Sequence, residues 1–508
     1  MSPIRLTRRS LLGRGAALAS LGGGSAFALN LAALGSASAA ASDYKALVCI
    51  FMYGGNDAFN TVLPTDEASW RAYQAVRRQA PDSIALLAPG TLAQANAKVG
   101  TPERLGGVLP ITPRNAQGRQ FALHPLMGST RDMFNAGRLA IVSNVGPLMR
   151  PTTKAEYASA SHPKPSGLFS HNDQQFHWQA MRGEGASNGW GGRMADLLAS
   201  ANHHALFTAI STSGNAVFLS GRQTLQYQMG LNGAVRIGVG NGHHLFGSVS
   251  AQESLRRIMR NTRTDDVLGR DHAAVVGRSI DAEALINGAL PSATSSPFGT
   301  PGLSQWAPEP LLMYDDPLSG SKAINPLAQQ LQVVARMIAA RSALGLKRQV
   351  FFVSMSGFDT HDQQNRQHAK LMARLAHGMQ YFGDVVQAMG MADQVTTFTA
   401  SDFGRTFTSN GDGTDHGWGG HHFVMGGAVR GGDIYGEFPQ LGVKNSNNND
   451  FDSSPHQLRN GALLPSTSVD QFGATLGSWM GVSETTMLDV FPNLGQFDSN
   501  RRTLGFMA

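Results

Sequence analysis

The sequence predicts an α/β fold in which a central, mostly parallel β-sheet is flanked by helices. Apolar runs suited to strands lie at 46–53, 138–145, 349–354 and 395–400. The first run is continuously apolar, which is typical of a central strand buried on both faces. Segments with apolar residues at helical spacing separate the runs. Strands that alternate with helices favour a parallel sheet, because parallel neighbours need a crossover connection between them.

Length and composition indicate a globular protein with a large core. Of the 508 residues, 42% are hydrophobic and 15% are charged, which is ordinary for globular chains. Helices are expected at 67–79, 325–344, 366–389 and 468–482. We predict an α/β core formed by 43–199 and 325–508, with an inserted cap region at 200–324, where the core-like pattern weakens.

The N-terminus has the features of a twin-arginine export signal. Arg8 and Arg9 form the arginine pair, an Ala/Gly/Leu-rich run follows, and Ala37-Ser38-Ala39 is a small-residue cleavage site. We predict that residues 1–39 are removed after contact with the twin-arginine export machinery, leaving a periplasmic or secreted protein. The alternative is an N-terminal membrane anchor, but glycines interrupt the run and its hydrophobicity is weak. No stable membrane span is expected in the mature chain.

Charge and cysteine content narrow the function classes. The chain has 41 Lys+Arg and 35 Asp+Glu, hence +6, and residues 1–39 hold four arginines and no acid, so the mature chain is near +2. No basic run stands out, and we therefore expect no nucleic-acid partner. The single cysteine, Cys49, lies in an apolar run and cannot form an intrachain disulfide, which favours a buried thiol.

Carboxylates and histidines follow the predicted strands. Asp57 comes after the first strand, Asp359 and His361 after the third, and Asp402 after the fourth, with His416 beyond it in a glycine-rich loop. Because the carboxyl ends of parallel strands meet at one sheet edge, we expect these side chains to cluster. Such groups ligate divalent ions such as zinc, manganese or magnesium, and clustered carboxylates repel one another without a cation. A capping role for Asp57 and a solvated loop around His416 are the ordinary alternatives.

One hydroxyl and one guanidinium are candidates for catalytic roles. Ser170 precedes a predicted helix start, with Asp173 three residues later. It is either a plain N-cap or a nucleophile in the positive field of the helix N-terminus. Arg405 follows the fourth strand and is either an anion-binding group or the partner of a nearby aspartate.

Five segments carry a resemblance to a known family. They are GGNDAFNTVLP (54–64), FDTHDQQ (358–364), SDFGRT (401–406), TDHGWGGHHFVMGG (414–427) and PSTSVDQFGATLGSWMGV (465–482). With them the chain resembles the twin-arginine-exported family named domain of unknown function 1501, over nearly all of the mature chain. That family is grouped with the alkaline phosphatase/sulfatase superfamily of metal-dependent α/β hydrolases and mutases. The resemblance implies an alkaline-phosphatase-like core.

The resemblance also implies a set of metal ligands. Asp57, Asp402 and His416 match superfamily positions that hold a metal ion. Asp359 and His361 correspond to an Asp–His pair in the preceding loop, although the pair is usually spaced by four residues and here by two. These five residues are therefore the expected ligands of one or two divalent ions.

Two further departures concern the second ion and the nucleophile. Phe403 stands where many members have a ligand histidine, and the superfamily's Thr or Ser nucleophile has no clear match. Ser170 is the first candidate for that role and Thr61 the second. The expected activity is hydrolysis of a small anionic ester, a phosphate or a sulfate, with Arg405 neutralising the anion. The alternative is a non-catalytic exported binding or secretion-associated protein that retains the fold.

Overall fold

The computed structural model describes residues 44–79, 82–234, 244–261, 266–304 and 306–508. The predicted export signal at 1–39 lies outside these residues. Among the described helices, none is both long enough and apolar enough to cross a membrane.

The described residues form sixteen strands and twelve α-helices, beside short 3-10 turns. The strands are β1 (Lys45–Tyr53), β2 (Val62–Pro64), β3 (Leu109–Ile111), β4 (Phe121–Leu123), β5 (Leu139–Gly146), β6 (Ala209–Ser211), β7 (Tyr227–Gln228), β8 (Met313–Asp316), β9 (Ser321–Ile324), β10 (Arg348–Ser356), β11 (Val395–Ser401), β12 (Arg405–Ser409), β13 (Thr414–His416), β14 (Gly420–Met425), β15 (Ile434–Tyr435) and β16 (Thr467–Ser468). The helices are α1 (Glu67–Arg77), α2 (Pro102–Leu105), α3 (Gly128–Asn135), α4 (Lys154–Ala158), α5 (His171–Ala180), α6 (Trp190–Leu198), α7 (Val249–Met259), α8 (Val267–Ala289), α9 (Pro326–Ala339), α10 (Gln364–Ala388), α11 (Val469–Met480) and α12 (Glu484–Val490).

A nine-stranded sheet forms the centre, in the order β15-β5-β14-β11-β1-β10-β6-β7, with β16 also beside β5. Among the described strands of this sheet, six of the eight pairings are parallel. The two antiparallel pairings both involve β14. The chain reaches β14 from β11 through the β12–β13 hairpin rather than a crossover helix, so β14 runs back along its neighbour. The predicted α/β class is confirmed, and the four predicted strands are β1, β5, β10 and β11.

Strand β1 is apolar throughout because both faces of the sheet are covered. Alternate side chains enter two separate cores. On one face Val48, Ile50 and Met52 join a core that includes residues of α9 and α10. On the other, Leu47, Cys49 and Phe51 join a core that includes residues of α5, α6 and α11.

The carboxyl ends of three neighbouring strands create the edge where the site lies. Strands β10 and β11 both pair in parallel with β1, so all three end together. Asp359 follows β10 by three residues and Asp402 follows β11 directly. The turn after β1 approaches them closely: Gly54 has φ of +115°, and a Cβ there would lie 2.3 Å from the Asp359 nitrogen. Only glycine tolerates this combination of dihedral angle and crowding.

The segment predicted as a cap, 200–324, is partly integrated with the core. Strands β6 and β7 extend the central sheet beyond β10. Its other described elements lie outside that sheet: the helices α7 and α8, and the β8–β9 pair, which is antiparallel.

Helix α11 begins with a buried carboxyl group. Asp470 is in its first turn, where Ser468 caps the helix by accepting from the Asp470 N–H at 3.1 Å. The Asp470 carboxyl accepts from the backbone N–H of Asn493 at 3.0 Å and from its side-chain amide at 3.3 Å. Burial raises the pKa of Asp470 to about 6, although these hydrogen bonds favour the charged form.

The raised pKa of Asp470 predicts a pH-dependent free energy of unfolding. The folded chain holds this proton more tightly than the unfolded chain, whose carboxyl titrates near 3.8. The stabilising contribution is complete below about pH 4 and is lost as pH rises through about 6, on the order of 3 kcal/mol in all. We expect Asp470→Asn to remove this loss in urea-unfolding curves recorded between pH 4 and 7. The exposed Asp489→Asn serves as control, and profiles for wild type and Asp470→Asn that run parallel would contradict the prediction.

Candidate metal centre

Three histidines converge on the carboxylate of Asp359. The His361 Nε2 lies 3.0 Å from Asp359 Oδ1 and the His416 Nε2 lies 3.3 Å from the same oxygen. The His171 Nε2 lies 3.4 Å from Asp359 Oδ2. The His361 and His416 Nε2 atoms are themselves 3.0 Å apart. Four potential ligand atoms therefore gather at the carboxyl edge of the sheet.

A strained backbone carbonyl holds the ring of His416. The His416 Nδ1 donates to the Phe169 carbonyl at 2.7 Å, and Phe169 has φ of +70°, which is unusual for a non-glycine residue. Burial lowers the pKa of His416, so the ring is neutral near pH 7 and its remaining lone pair is on Nε2. That lone pair faces a carboxylate oxygen, and only a proton or another cation between the two atoms makes the contact favourable.

A fully buried carboxylate holds the ring of His171. The His171 Nδ1 lies 2.8 Å from Asp402 Oδ2, and this hydrogen bond raises the pKa of His171 while burial opposes it. The same Asp402 oxygen accepts from the Gly54 N–H and the Gln175 side-chain amide, each at 3.0 Å. His171 and Gln175 are four residues apart on α5, so both reach Asp402 from one helix face.

The third ring, that of His361, has polar partners at its outer nitrogen. The His361 Nδ1 lies 3.4 Å from Asp415 Oδ1 and 3.5 Å from the Asn410 amide. Asn410 also donates to Asp415 at 2.7 Å, which ties the two partners together. All three histidines therefore use Nδ1 for an outer contact and direct Nε2 at Asp359, the pattern that second-shell groups impose on metal-bound histidines.

The buried guanidinium of Arg405 holds the Asp359 carboxylate in position. The Arg405 Nη1 donates to Asp359 Oδ1 at 2.6 Å and to the Gly54 carbonyl at 3.1 Å. Its other nitrogens donate to the carbonyl and hydroxyl of Thr414, across the β12–β13 pair. Burial alone would raise the pKa of Asp359, but the hydrogen bond and charge of Arg405 outweigh it and lower the pKa. Arg405 is enclosed and holds Asp359 in place.

The donor geometry fits a divalent ion. Ligands about 2.0–2.1 Å from one zinc ion lie roughly 3.0–3.5 Å from each other. His361 and His416 lie 3.0–3.3 Å from Asp359 Oδ1 and from each other, and His171 lies 3.4 Å from the other oxygen, Oδ2. The ligand atoms of His171, Asp359 and His416 all lie within 4.8 Å of one another. In addition, the buried Asp402 Oδ1 has no hydrogen-bond partner among the described residues, which is consistent with a cation nearby.

Four of the five sequence-predicted ligands lie at this edge. Asp359, His361 and His416 contact each other directly, whereas Asp402 reaches the cluster through His171. Phe403 packs beside two of the rings, with its centroid 4.8 Å from that of His171 and 4.7 Å from that of His416. An apolar ring therefore covers one side of the cluster.

Asp57, the fifth predicted ligand, makes a different set of contacts. Its buried carboxylate forms a two-pronged ion pair with Arg77, with separations of 2.5 and 3.0 Å. Gln364 donates to one of its oxygens and the Phe59 N–H to the other, so Asp57 also caps the turn after β1. Both oxygens are thus engaged. This differs from the sequence-based expectation, and we leave Asp57 out of the proposed ligand set.

The two candidate nucleophiles lie in contrasting surroundings. Ser170 is the half-buried residue just before α5, next to His171, and its hydroxyl does not cap the helix. Thr61 is fully buried, and its hydroxyl donates to the Asp57 carbonyl at 2.7 Å. The hydroxyl of Thr61 therefore has a structural role, whereas Ser170 is the residue next to the cluster's His171 in the chain and does not use its hydroxyl to cap α5.

Comparisons with known proteins identify the family. A model of the family described as "Protein of unknown function (DUF1501)" matches residues 44–491. The chain belongs to this family. No curated protein matches it.

Two solved structures share a distant likeness with this DUF1501 protein. One, described as Ps i-CgsB in complex with k-i-k-neocarrahexaose, has 9% identity and a TM-score of 0.31, over 89% of this chain and 76% of the other. The second, described under the metabolism of multiple glycosaminoglycans by Bacteroides thetaiotaomicron, has 9% identity and a TM-score of 0.32, over 87% and 74%. Similarity this low carries no argument about activity, so the chemistry of the DUF1501 site must come from its own residues.

Sequence reasoning missed His171 in the DUF1501 cluster. Its neighbour Ser170 drew attention as a helix start, while the histidine does not follow a strand. One signal was present: His171 and Gln175 stand at helical i, i+4 spacing, which puts two polar side chains on one face of α5. Both contact Asp402 in the structure.

The buried Asp57–Arg77 pair predicts a large loss of stability on truncation. Arg77→Met leaves the Asp57 charge buried without its cation, and we expect a decrease of about 3–5 kcal/mol in the free energy of unfolding. Arg71→Met removes a pair with Glu67 in which both side chains are mostly exposed, and should change stability by less than about 1 kcal/mol. The free energy of unfolding of each variant is measured by urea denaturation and compared with that of wild type. Equal effects would show that the buried pair contributes no more than the surface one.

Proposed function

We propose that this protein is an exported metal-dependent hydrolase that acts on phosphate or sulfate esters. The observation that carries the proposal is the convergence of three histidine Nε2 atoms on one carboxylate, with each Nδ1 facing an outer partner. The proposed ligands of one divalent ion are His171, Asp359, His361 and His416. Three nitrogens and one oxygen suit zinc better than magnesium, which prefers oxygen ligands.

The residues around the cluster support ester hydrolysis. A bound divalent ion would polarise the ester oxygen and lower the pKa of an attacking hydroxyl or water. Ser170 is the first candidate nucleophile because it precedes the proposed ligand His171 in sequence and is the N-cap residue of α5, whose dipole favours negative charge. The serine oxygen would bond to phosphorus or sulfur as the bond to the ester oxygen breaks, and the serine proton would leave with that oxygen as an alcohol. Water would then attack the seryl ester, releasing phosphate or sulfate and returning a proton to the serine oxygen. Asp402 would hold the His171 ring in position during both steps.

Arg405 has a positioning role in this proposal, not the anion-binding role that the resemblance implies. Its guanidinium is buried and bonds Asp359, Gly54 and Thr414, so it serves to orient Asp359 rather than to contact the substrate anion. The same ion pair favours the alternative function, a non-catalytic exported protein, because Arg405 already gives Asp359 a cation partner. Metal content distinguishes the two functions.

The metal proposal predicts bound zinc and zinc-dependent turnover. We expect wild type, dialysed after exposure to zinc, to retain about one equivalent by elemental analysis, and to hydrolyse p-nitrophenyl phosphate or sulfate until a chelator is added. Asp359→Asn and His416→Ala should lose the ion. Asp402→Asn changes a residue that acts on the centre through His171, and should weaken binding by about 10–100-fold. His272→Ala, an exposed histidine on α8, is the matched control. Wild type that retains no metal would favour the non-catalytic alternative.

The same experiment tests the nucleophile. Ser170→Ala should keep its zinc and lose turnover by a factor of roughly 100 or more if the serine attacks the ester. Ser166→Ala, a nearby exposed serine, should retain activity. Turnover by Ser170→Ala at the wild-type rate would assign the attack to water instead.

Export is the remaining part of the proposal, and it rests on the sequence of residues 1–39. We expect Arg8→Lys with Arg9→Lys to leave the uncleaved precursor inside the cell, because the export machinery reads the arginine pair. Immunoblots of cell fractions measure the distribution. Mature protein outside the cytoplasm at the wild-type level would contradict this part.

A further inference from the structure

A cleft of about 660 Å³ lies beside the proposed metal centre. Its walls come from α1, from the loop and short helix at 82–103, and from the first turn of α10. A volume of this size is in the range of small-molecule sites. None of the proposed metal ligands lines the cleft, so it is a separate feature of the surface.

The cleft combines an aromatic ring with uncharged polar groups. Trp70 is half-buried and stacks on Tyr73, with centroids 5.1 Å apart and planes at 25°. Residues with side-chain amides or hydroxyls line the same cleft: Gln74, Ser83, Thr91, Thr101, Gln363 and Asn365. The charged lining residues balance, with the cations Arg78, Lys98 and Arg366 against the acids Asp82, Glu103 and Asp412. The cleft therefore offers stacking and hydrogen bonds without a net charge.

Two features of the α10 end of the cleft point to a missing hydrogen-bond donor. Asn365 donates to the Ser83 carbonyl at 2.9 Å, but its buried Oδ1 has no partner among the described residues. Gln363 has φ of +45° and its side chain makes no capping bond to the helix. The unpaired Asn365 Oδ1 is shielded from solvent and costs free energy, whereas the exposed side-chain amide of Gln363 is open to a ligand hydroxyl.

The cleft adjoins the metal centre through two short stretches of chain. Gln363 lines the cleft and follows the proposed ligand His361 by two residues, so their Cα atoms are at most about 7 Å apart. In the loop between β12 and β13, Asp412 lines the cleft two residues after Asn410, whose amide contacts the His361 ring at 3.5 Å. A molecule in the cleft therefore lies within reach of an ester at the centre.

We propose that this cleft binds an uncharged saccharide, so that the substrates are esters carried on sugars; this substrate class rests on the proposed hydrolase function. A sugar ring presents C–H groups to an aromatic face and hydroxyls that both donate and accept, which matches Trp70 and the surrounding amides. A polyanion would gain no net attraction from three cations and three acids, and an apolar ligand would remove these charged groups from water.

The test is native electrophoresis of the full mature chain through gels that contain dextran, laminarin, xylan, galactomannan or hydroxyethylcellulose. We expect at least one polysaccharide to retard wild type, and Trp70→Ala to weaken that binding at least tenfold. Trp306→Ala removes a tryptophan that is 82% exposed elsewhere on the chain and should bind as wild type does. No retardation by any polysaccharide, or equal retardation of Trp70→Ala, overturns the proposal.

A second variant and two readouts keep this result separate from the hydrolase proposal. Gln363→Gly retains the left-handed backbone without the amide, and should also weaken retardation if Trp70→Ala fails to fold. Both variants should keep wild-type zinc content and wild-type turnover of p-nitrophenyl esters, since neither touches the metal centre. If wild type holds zinc and hydrolyses the p-nitrophenyl esters but no polysaccharide retards it, the saccharide proposal is overturned and the hydrolase proposal stands. If a polysaccharide retards wild type but the protein neither holds zinc nor hydrolyses the esters, saccharide binding in the cleft is supported and the hydrolase proposal is overturned.

Discussion

The carboxylate of Asp359 is the group on which the arrangement of the site depends. Its Oδ1 accepts from Arg405 at 2.6 Å and lies within 3.3 Å of the His361 and His416 Nε2 atoms, and its Oδ2 lies 3.4 Å from the His171 Nε2. These partners come from α5, the loop after β10 and the β12–β13 pair, so three parts of the chain meet at a single anion. Arg405 pairs with this charge directly, whereas the histidine nitrogens need a proton or a bound cation between them and the carboxylate.

Burial decides what each aspartate at the sheet edge does. Asp57 is enclosed, and Arg77, Gln364 and the Phe59 N–H engage both of its oxygens, so its charge stabilises the turn. Asp359 has a side chain that is 43% exposed and keeps Oδ2 open toward solvent and His171. The same residue type after neighbouring strands thus gives a structural ion pair at Asp57, whose two oxygens are both engaged, and a candidate ligand at Asp359, whose side chain is partly exposed.

Unusual backbone conformations occur where the site and the adjoining cleft need close approach. Gly54 brings the end of β1 against Asp359 and donates to Asp402. Phe169 turns its carbonyl to the His416 ring, and Gln363 begins α10 at the cleft, both with positive φ. Non-glycine residues in the left-handed region cost free energy, and packing around both positions must hold them there. The two positions lie next to the candidate nucleophile and the candidate saccharide cleft.

The sequence by itself determined the α/β class, the four main strands and the principal helices, because apolar periodicity is a local property that reports burial directly. It also located Asp359, His361, Asp402 and His416 at one sheet edge, since the loops that leave parallel strands begin at the same edge. Only the tertiary structure decided the partners. Arg77 meets Asp57 across 20 positions, Arg405 meets Asp359 across 46, and His171 meets Asp402 across 231. Contacts between such distant positions depend on how helices and hairpins pack against the sheet, which no local pattern encodes.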